Sequence, residues 1–178
     1  MAEIGNVLAA GADTIFVAMT AVLGPLLRDS VRYRRLQAEL DGAMNDRGLA
    51  NEPVKDVPFL KACVKEGSRF HPRMFINYRG EHLRKNADEW KPERWIPGEG
   101  SSEEDIKLMD KHLATYCYGS RTCIGRNLAT FEVSKFVGEF LTRYDVELIG
   151  PKCPWTIKSL WLTELGNMMI RLKKRRYE

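Results

Sequence analysis

The chain has 178 residues, of which 44% are hydrophobic and 29% charged, and its net charge is +4. That length supports one domain with a sizeable core, and the balance is that of a folded soluble protein rather than a disordered or fibrous one. The basic residues are dispersed apart from the run Lys173-Lys174-Arg175-Arg176, read as a solvated tail, and no basic stripe interleaved with aromatics points to nucleic acid.

The first segment, Ile4 to Leu27, is largely apolar and long enough to raise the question of a membrane span. No Lys or Arg precedes it, which argues against a signal peptide. Asp13 at its centre would cost about 2.5–3.5 kcal/mol on insertion scales, so a buried helix of a domain is the expectation. Glu3 to Leu23 reads as one long helix with a Gly11-Ala12-Asp13-Thr14 cluster that predicts local distortion or close approach of another group, and Pro25 ends the run. Asp29 or Ser30 then caps a second helix with Tyr33, Leu36, Leu40 and Met44 on one face. Asp56 and Pro58 start a third helix carrying Phe59, Cys63, Glu66 and Phe70 on one stripe, and Pro72 stops it.

Beyond it a short strand at Met74 to Tyr78 is predicted. The Trp- and Pro-rich stretch from Glu89 to Gly98 reads as an irregular meander, and Glu99 to Asp110 as a solvated loop or short helix. Ile124 to Arg143 is a strong helix with Val133, Phe136, Val137, Phe140 and Tyr144 inward, and Val146 to Ile149, Thr156 to Thr163 and Asn167 to Leu172 read as short strands. The four cysteines, Cys63, Cys117, Cys123 and Cys153, make no C-x-x-C pair or zinc framework, so reduced thiols are expected. His71, His82 and His112 read as surface or loop residues.

The segment with the most chemical content is Tyr116-Cys117-Tyr118-Gly119-Ser120-Arg121-Thr122-Cys123-Ile124-Gly125. Gly119 permits a tight turn with positive φ. Cys123 lies at the mouth of a helix, where unpaired N–H groups and the macrodipole favour an anion and make a thiolate available. Gly125 lets the helix backbone approach a flat partner, and Arg121 supplies a charge that can pair with a carboxylate.

This decapeptide resembles the haem-binding loop of the cytochrome P-450 family, F-x-x-G-x-R-x-C-x-G, with Tyr116 where the family usually has Phe. Three further motifs follow the family's order. Ala10-Gly11-Ala12-Asp13-Thr14 is similar to [AG]-G-x-[DE]-T, Glu66-Gly67-Ser68-Arg69 to E-x-x-R, and Pro92-Glu93-Arg94-Trp95 to P-E-R-[FW]. A lone E-x-x-R is weak evidence; four motifs in order argue against an unrelated helical binding module.

The resemblance implies a mainly α fold with small β elements, a partial cytochrome P-450 fold within a single partial domain, 1–178. It implies haem (iron protoporphyrin IX) with Cys123 as axial ligand to the iron, Arg121 on a propionate, Tyr116 beneath the loop, and Gly119 and Gly125 shaping it. Asp13 and Thr14 would orient water and deliver protons to bound dioxygen, while Glu66, Arg69 and Arg94 would form a buried ion-pair network bracing the loop. Complete members insert one atom of dioxygen into an apolar organic substrate, with electrons from NAD(P)H through a reductase, and eukaryotic ones reside in the endoplasmic reticulum membrane. The stretch from Ile4 reads as no such anchor, which leaves the cytoplasm as the expectation for this chain.

Two departures temper these expectations. The family places a long, mostly helical half, including the anchor and much of the substrate pocket, before the Ala-Gly-x-Asp-Thr helix, and that half is not in the sequence. Between Arg69 and Pro92 lie fewer residues than the family's strands occupy, so an internal deletion is expected. The alternative reading is therefore a non-catalytic truncated remnant with weak or no haem binding.

Overall fold

The structure is a computed structural model that describes residues 2–44, 57–71, 86–150, 156–159 and 163–176. It is mainly helical. The helices are α1 (Ala2–Arg28), α2 (Ser30–Ala43), α3 (Pro58–Phe70), α4 (Glu103–Lys111) and α5 (Arg126–Arg143). Four short strands, β1 (Tyr144–Leu148), β2 (Thr156–Ser159), β3 (Thr163–Gly166) and β4 (Ile170–Lys174), form two antiparallel pairs, β1 with β4 and β2 with β3. The strand predicted at Met74 to Tyr78 lies outside the described residues.

Helix α1 continues past the predicted stop and carries Pro25 within it. Tertiary packing overrides the break, because Val22, Leu23 and Leu26 are all buried around the proline. Proline has no N–H, so the Ala21 carbonyl four residues earlier has no helical donor. Helix α3 crosses at that point. A Cβ on Gly67 would lie 2.7 Å from Val22 Cγ2 and 3.1 Å from the Ala21 carbonyl oxygen, so glycine sets how closely the two helices meet. At Gly11, where local distortion or close approach is the expectation, α1 runs through unbroken, and among the described residues a Cβ there would meet nothing within 4 Å. The stretch Ala10–Arg28 is long and apolar enough to cross a membrane by length and composition, and half of it is buried within the fold.

Asp29 caps α2, accepting from the Val31 and Arg32 N–H groups. The predicted apolar face holds, with Leu36 and Leu40 fully buried. The N-terminus of α3 has no side-chain cap of its own. Glu39 of α2 takes that place, its Oε2 accepting the Phe59 N–H at 3.2 Å. Helix α3 is buried nearly all round, and His71 at its end is buried rather than on the surface, packed edge-on against Phe70.

Helix α5 turns Ala129, Val133, Val137 and Leu141 inward, each four residues from the last, along one stripe. Phe136, expected in the core, is exposed and stacks on Phe140 at 5.4 Å. With α1, α2, α3 and β1, this stripe closes the main core; Ala62, Trp95 and Met109 form a smaller one under α4. Helix α4 starts on a capping box between Ser102 and Asp105, settling Glu99 to Asp110 as loop and then helix.

The segment predicted as one strand, Thr156 to Thr163, contributes to two strands that pair as β2 and β3, with Thr156 opposite Gly166 and Ser159 opposite Thr163. The C-terminal basic run keeps Lys173, Lys174 and Arg176 solvated as expected, but it is not a free tail. Lys173 and Lys174 pair with Asp145 and Tyr144 in the ladder, and Arg175 makes a two-bond contact with Asp41 at 2.9 and 2.7 Å.

Gly67→Ala is expected to lower stability by about 1–3 kcal/mol, since the added methyl meets Val22 and backbone rather than a flexible side-chain end. Denaturant unfolding checks this; an unchanged midpoint would mean that the α1–α3 crossing relaxes freely.

Candidate functional site

The site rests on a buried charge cluster. Glu66 and Arg69 lie three apart on α3 and therefore on one face. Both Arg69 Nε and Nη2 donate to the Glu66 carboxylate at 2.8 Å. Arg94, from the short 3₁₀ turn Pro92–Trp95, donates from Nε at 3.1 Å. The Lys91 N–H and the Trp95 indole N–H complete the shell at 2.8 and 2.9 Å. The guanidinium groups spend their other N–H bonds on the carbonyls of Asn86, Ala87 and Glu89, which wraps the meander onto α3.

Glu66 is fully buried, and both arginines are about 95% buried. Burial pushes the Glu66 carboxyl up, but the hydrogen bonds and charges of Arg69, and then Arg94, outweigh it and hold the group below the ordinary glutamate value. Its folded pKa is thus below its unfolded one. The cluster's stability is present above the unfolded value and is lost as pH falls through the folded one.

The cysteine loop is tied to this cluster. Thr115 Oγ1 donates to the Ser68 carbonyl at 3.0 Å, next to Arg69. Two 3₁₀ turns, Ala114–Tyr116 and Gly119–Arg121, then shape the loop. Gly119 has φ 63°, as the tight turn requires. Thr122 closes that turn, its N–H and hydroxyl both donating to the Gly119 carbonyl. The Cys123 N–H donates to the Tyr116 carbonyl at 2.9 Å, and the Cys123 carbonyl accepts from Arg126 N–H at 3.2 Å in the first turn of α5.

Gly125 is the N-cap residue of α5 with no side-chain cap, so the positive end of the helix faces the loop. Among the described residues, a Cβ on Gly125 would have only the Cys123 Sγ nearby, at 3.8 Å. The Cys123 thiol is free and exposed, as is Arg121. Ile124 is 105% exposed, and Leu128, one turn along α5, is 61% exposed. Cys63, by contrast, is fully buried, and burial pushes its thiol well above the ordinary range, which makes it inert.

In α1, Asp13 is exposed and Thr14 half-buried. The Thr14 hydroxyl donates to the Ala10 carbonyl of its own helix at 2.7 Å. Sequence reasoning missed Lys91, Trp95 and Thr115 as parts of the brace. Trp95 could have been found from the P-E-R-W spacing; nothing in the sequence marks Thr115. It also missed Cys117, whose φ of 58° and ψ of −176° fall in a region nearly reserved for glycine. Among the described residues, no three His, Cys, Asp or Glu side chains converge as a metal cage.

The family model for cytochrome P-450 matches residues 1–81 and 76–173. The two stretches meet inside the segment between Arg69 and Pro92 that reads as shortened. Similar curated proteins include the cytochrome P-450 monooxygenase cicH of Emericella nidulans, 29% identical, with 93% of this chain and 40% of that protein covered. Another is the cytochrome P-450 monooxygenase mpaDE of Penicillium roqueforti, 29% identical over 93% of this chain and 23% of that protein. A crystal structure of a cytochrome P-450 superposes with a TM-score of 0.79 at 19% identity, covering 95% of this chain and 44% of the other. The chain spans about two-fifths, or less, of the curated relatives' length.

Two substitutions probe the site's framework. Glu66→Gln is expected to destabilise by about 3–5 kcal/mol at neutral pH, because it strands two buried guanidinium groups, and to flatten the acid limb of the stability curve. Cys117→Gly should raise stability by about 1 kcal/mol by relieving the left-handed backbone. Denaturant titrations at neutral and acid pH measure both; a wild-type acid limb in Glu66→Gln would show that the carboxylate is not the group that titrates.

Proposed function

Since the chain belongs to the cytochrome P-450 family, we propose that it forms the proximal half of a haem-thiolate monooxygenase site, with Cys123 as the iron ligand. The observation that carries this reading is the free, exposed Cys123 thiol at the open N-terminus of α5, on a loop tied through Thr115 to the Glu66 cluster. The donor set fits the group: a soft thiol, an exposed apolar shelf from Ile124 and Leu128, open space beside Gly125, and a guanidinium at Arg121. When bound, haem supplies the activation of dioxygen.

The chain's own residues do the rest. Cys123 ligates through sulfur, and Arg121 pairs with a propionate. Gly119 shapes the turn, Gly125 keeps the helix mouth clear, and Tyr116 holds the loop from beneath. Thr14 sends its hydroxyl proton to the Ala10 carbonyl, so its oxygen is left to accept a hydrogen bond from a substrate-side water. Asp13, exposed one residue earlier, takes protons up from solvent. Glu66, Arg69 and Arg94 act structurally. Residues 1–178 are part of one such domain. The whole protein would insert one atom of dioxygen into an apolar organic substrate, using electrons from NAD(P)H through a reductase, at the endoplasmic reticulum membrane as in complete eukaryotic members.

A second reading, a haem-thiolate remnant without turnover, is favoured by the openness of the site, since Cys123, Ile124 and Asp13 all lie at the surface. Water in such a site would divert dioxygen chemistry.

Haem reconstitution of the purified chain tests both. A thiolate-type, red-shifted carbon monoxide band in the ferrous protein is expected, lost in Cys123→Ala, with Arg121→Leu weakening haem retention about tenfold. An imidazole-type band indifferent to Cys123→Ala would overturn the ligand assignment. A thiolate band without substrate oxidation, with a reductase present, would select the remnant.

A further inference from the structure

Tyr116 stands where the resembled family usually has Phe, and its extra hydroxyl is not idle. It lies 3.0 Å from Thr130 Oγ1 in the second turn of α5. Thr130 already donates its one hydroxyl proton to the Arg126 carbonyl at 2.8 Å. It can therefore only accept from the phenol, which makes Tyr116 the donor. Arg126 in turn donates its N–H to the Cys123 carbonyl, and Cys123 donates its N–H to the Tyr116 carbonyl. The four bonds close a ring: Tyr116 to Thr130, Thr130 to Arg126, Arg126 to Cys123, Cys123 to Tyr116. The Arg126 guanidinium also lies over the Tyr116 ring, 5.7 Å from its centre.

We propose that Tyr116 and Thr130 are positioning residues for Cys123, acting through this closed hydrogen-bond circuit. Both backbone groups of Cys123 are members of the ring, so the circuit fixes the direction in which its Cα–Cβ bond leaves the loop. A phenylalanine would fill the same space and leave the ring open at one bond. In an open ring the Cys123 N–H keeps its acceptor, but that acceptor is no longer anchored to α5 through its own side chain. Only the Thr130 hydroxyl both accepts and donates, so losing the phenol bond directly weakens the bond it gives to the Arg126 carbonyl, and the remaining links act through the backbone geometry. The consequence for ligation rests on the reading of Cys123 as the iron ligand; the circuit itself does not.

Amide hydrogen exchange at Cys123 in the purified chain, without haem, tests the circuit. Tyr116→Phe and Thr130→Val are each expected to speed exchange of the Cys123 N–H about three- to tenfold, the worth of one ordinary hydrogen bond. The double variant should exchange no faster than either single one, and Thr130→Ser should restore the wild-type rate. Wild-type exchange in Tyr116→Phe, or effects that multiply in the double variant, would overturn the proposal. In reconstituted protein, Tyr116→Phe should convert the thiolate-type carbon monoxide band to the protonated-thiol type faster than wild type, and Thr130→Ser should not. Should wild type show no thiolate band, the ligand assignment fails, and the exchange rates still decide the circuit.

Discussion

Glu66 has no contact with solvent, yet it keeps its charge. A carboxylate taken out of water is costly by several kcal/mol unless its oxygens are filled and its charge is matched. Here five donors converge on it: three N–H groups from Arg69 and Arg94, the Lys91 amide and the Trp95 indole. The constraint spreads outward from there. Two guanidinium groups around one carboxylate leave N–H bonds over, and the carbonyls of the meander take them. Trp95 is thereby placed against Ala62 and Met109, which seats α4, and Ser68 is left with a carbonyl turned to Thr115. The cysteine loop is the third shell of an arrangement whose centre is one buried charge.

The helix that carries Glu66 is buried nearly all round, so its neighbours decide its geometry. Gly67 sits over Ala21 and Val22, and Pro25 frees the Ala21 carbonyl at the crossing. The two residues that sequence rules treat as helix breakers are used here to bring two helices into close contact. That crossing fixes the angle at which α1 passes the rest of the molecule, and so where the Asp13–Thr14 turn is carried.

Much of this was legible in the sequence, for identifiable reasons. The face of α2 and the extent of α5 follow from the spacing of Leu36 and Leu40, and of Val133 and Val137, because a periodic apolar stripe has only one way to be buried. The motif order placed the Glu66, Arg69, Arg94 and Cys123 segments before any coordinates. What could not be read depends on long-range partners. Pro25 looks like a stop until α3 is seen to pack on it. Phe136 looks like core because nothing local says that α5 presents that side to the surface. Arg175 looks like part of a solvated run until Asp41 is found beside it. Thr156 to Thr163 reads as one strand because the sequence between Ser159 and Thr163 carries no glycine, proline or asparagine. Thr130, fourteen residues from Tyr116, has no pattern that links the two.

Arg175 reaches back across the chain to Asp41, to the Leu141 carbonyl and to Asp145, while β4 is, among the described residues, the partner strand of β1. These contacts span up to 134 residues of sequence. During synthesis, α1, α2 and α3 emerge early, yet the layer that ties α2 and α5 together cannot close until residues 170–175 have cleared the ribosome. Until then, β1 is an unpaired edge and Asp41 and Asp145 lack their shared cation. The edge of β1 is therefore open only from the moment residues 144–148 are made until residues 170–174 follow, and it is during that interval that it could pair with a strand of another chain.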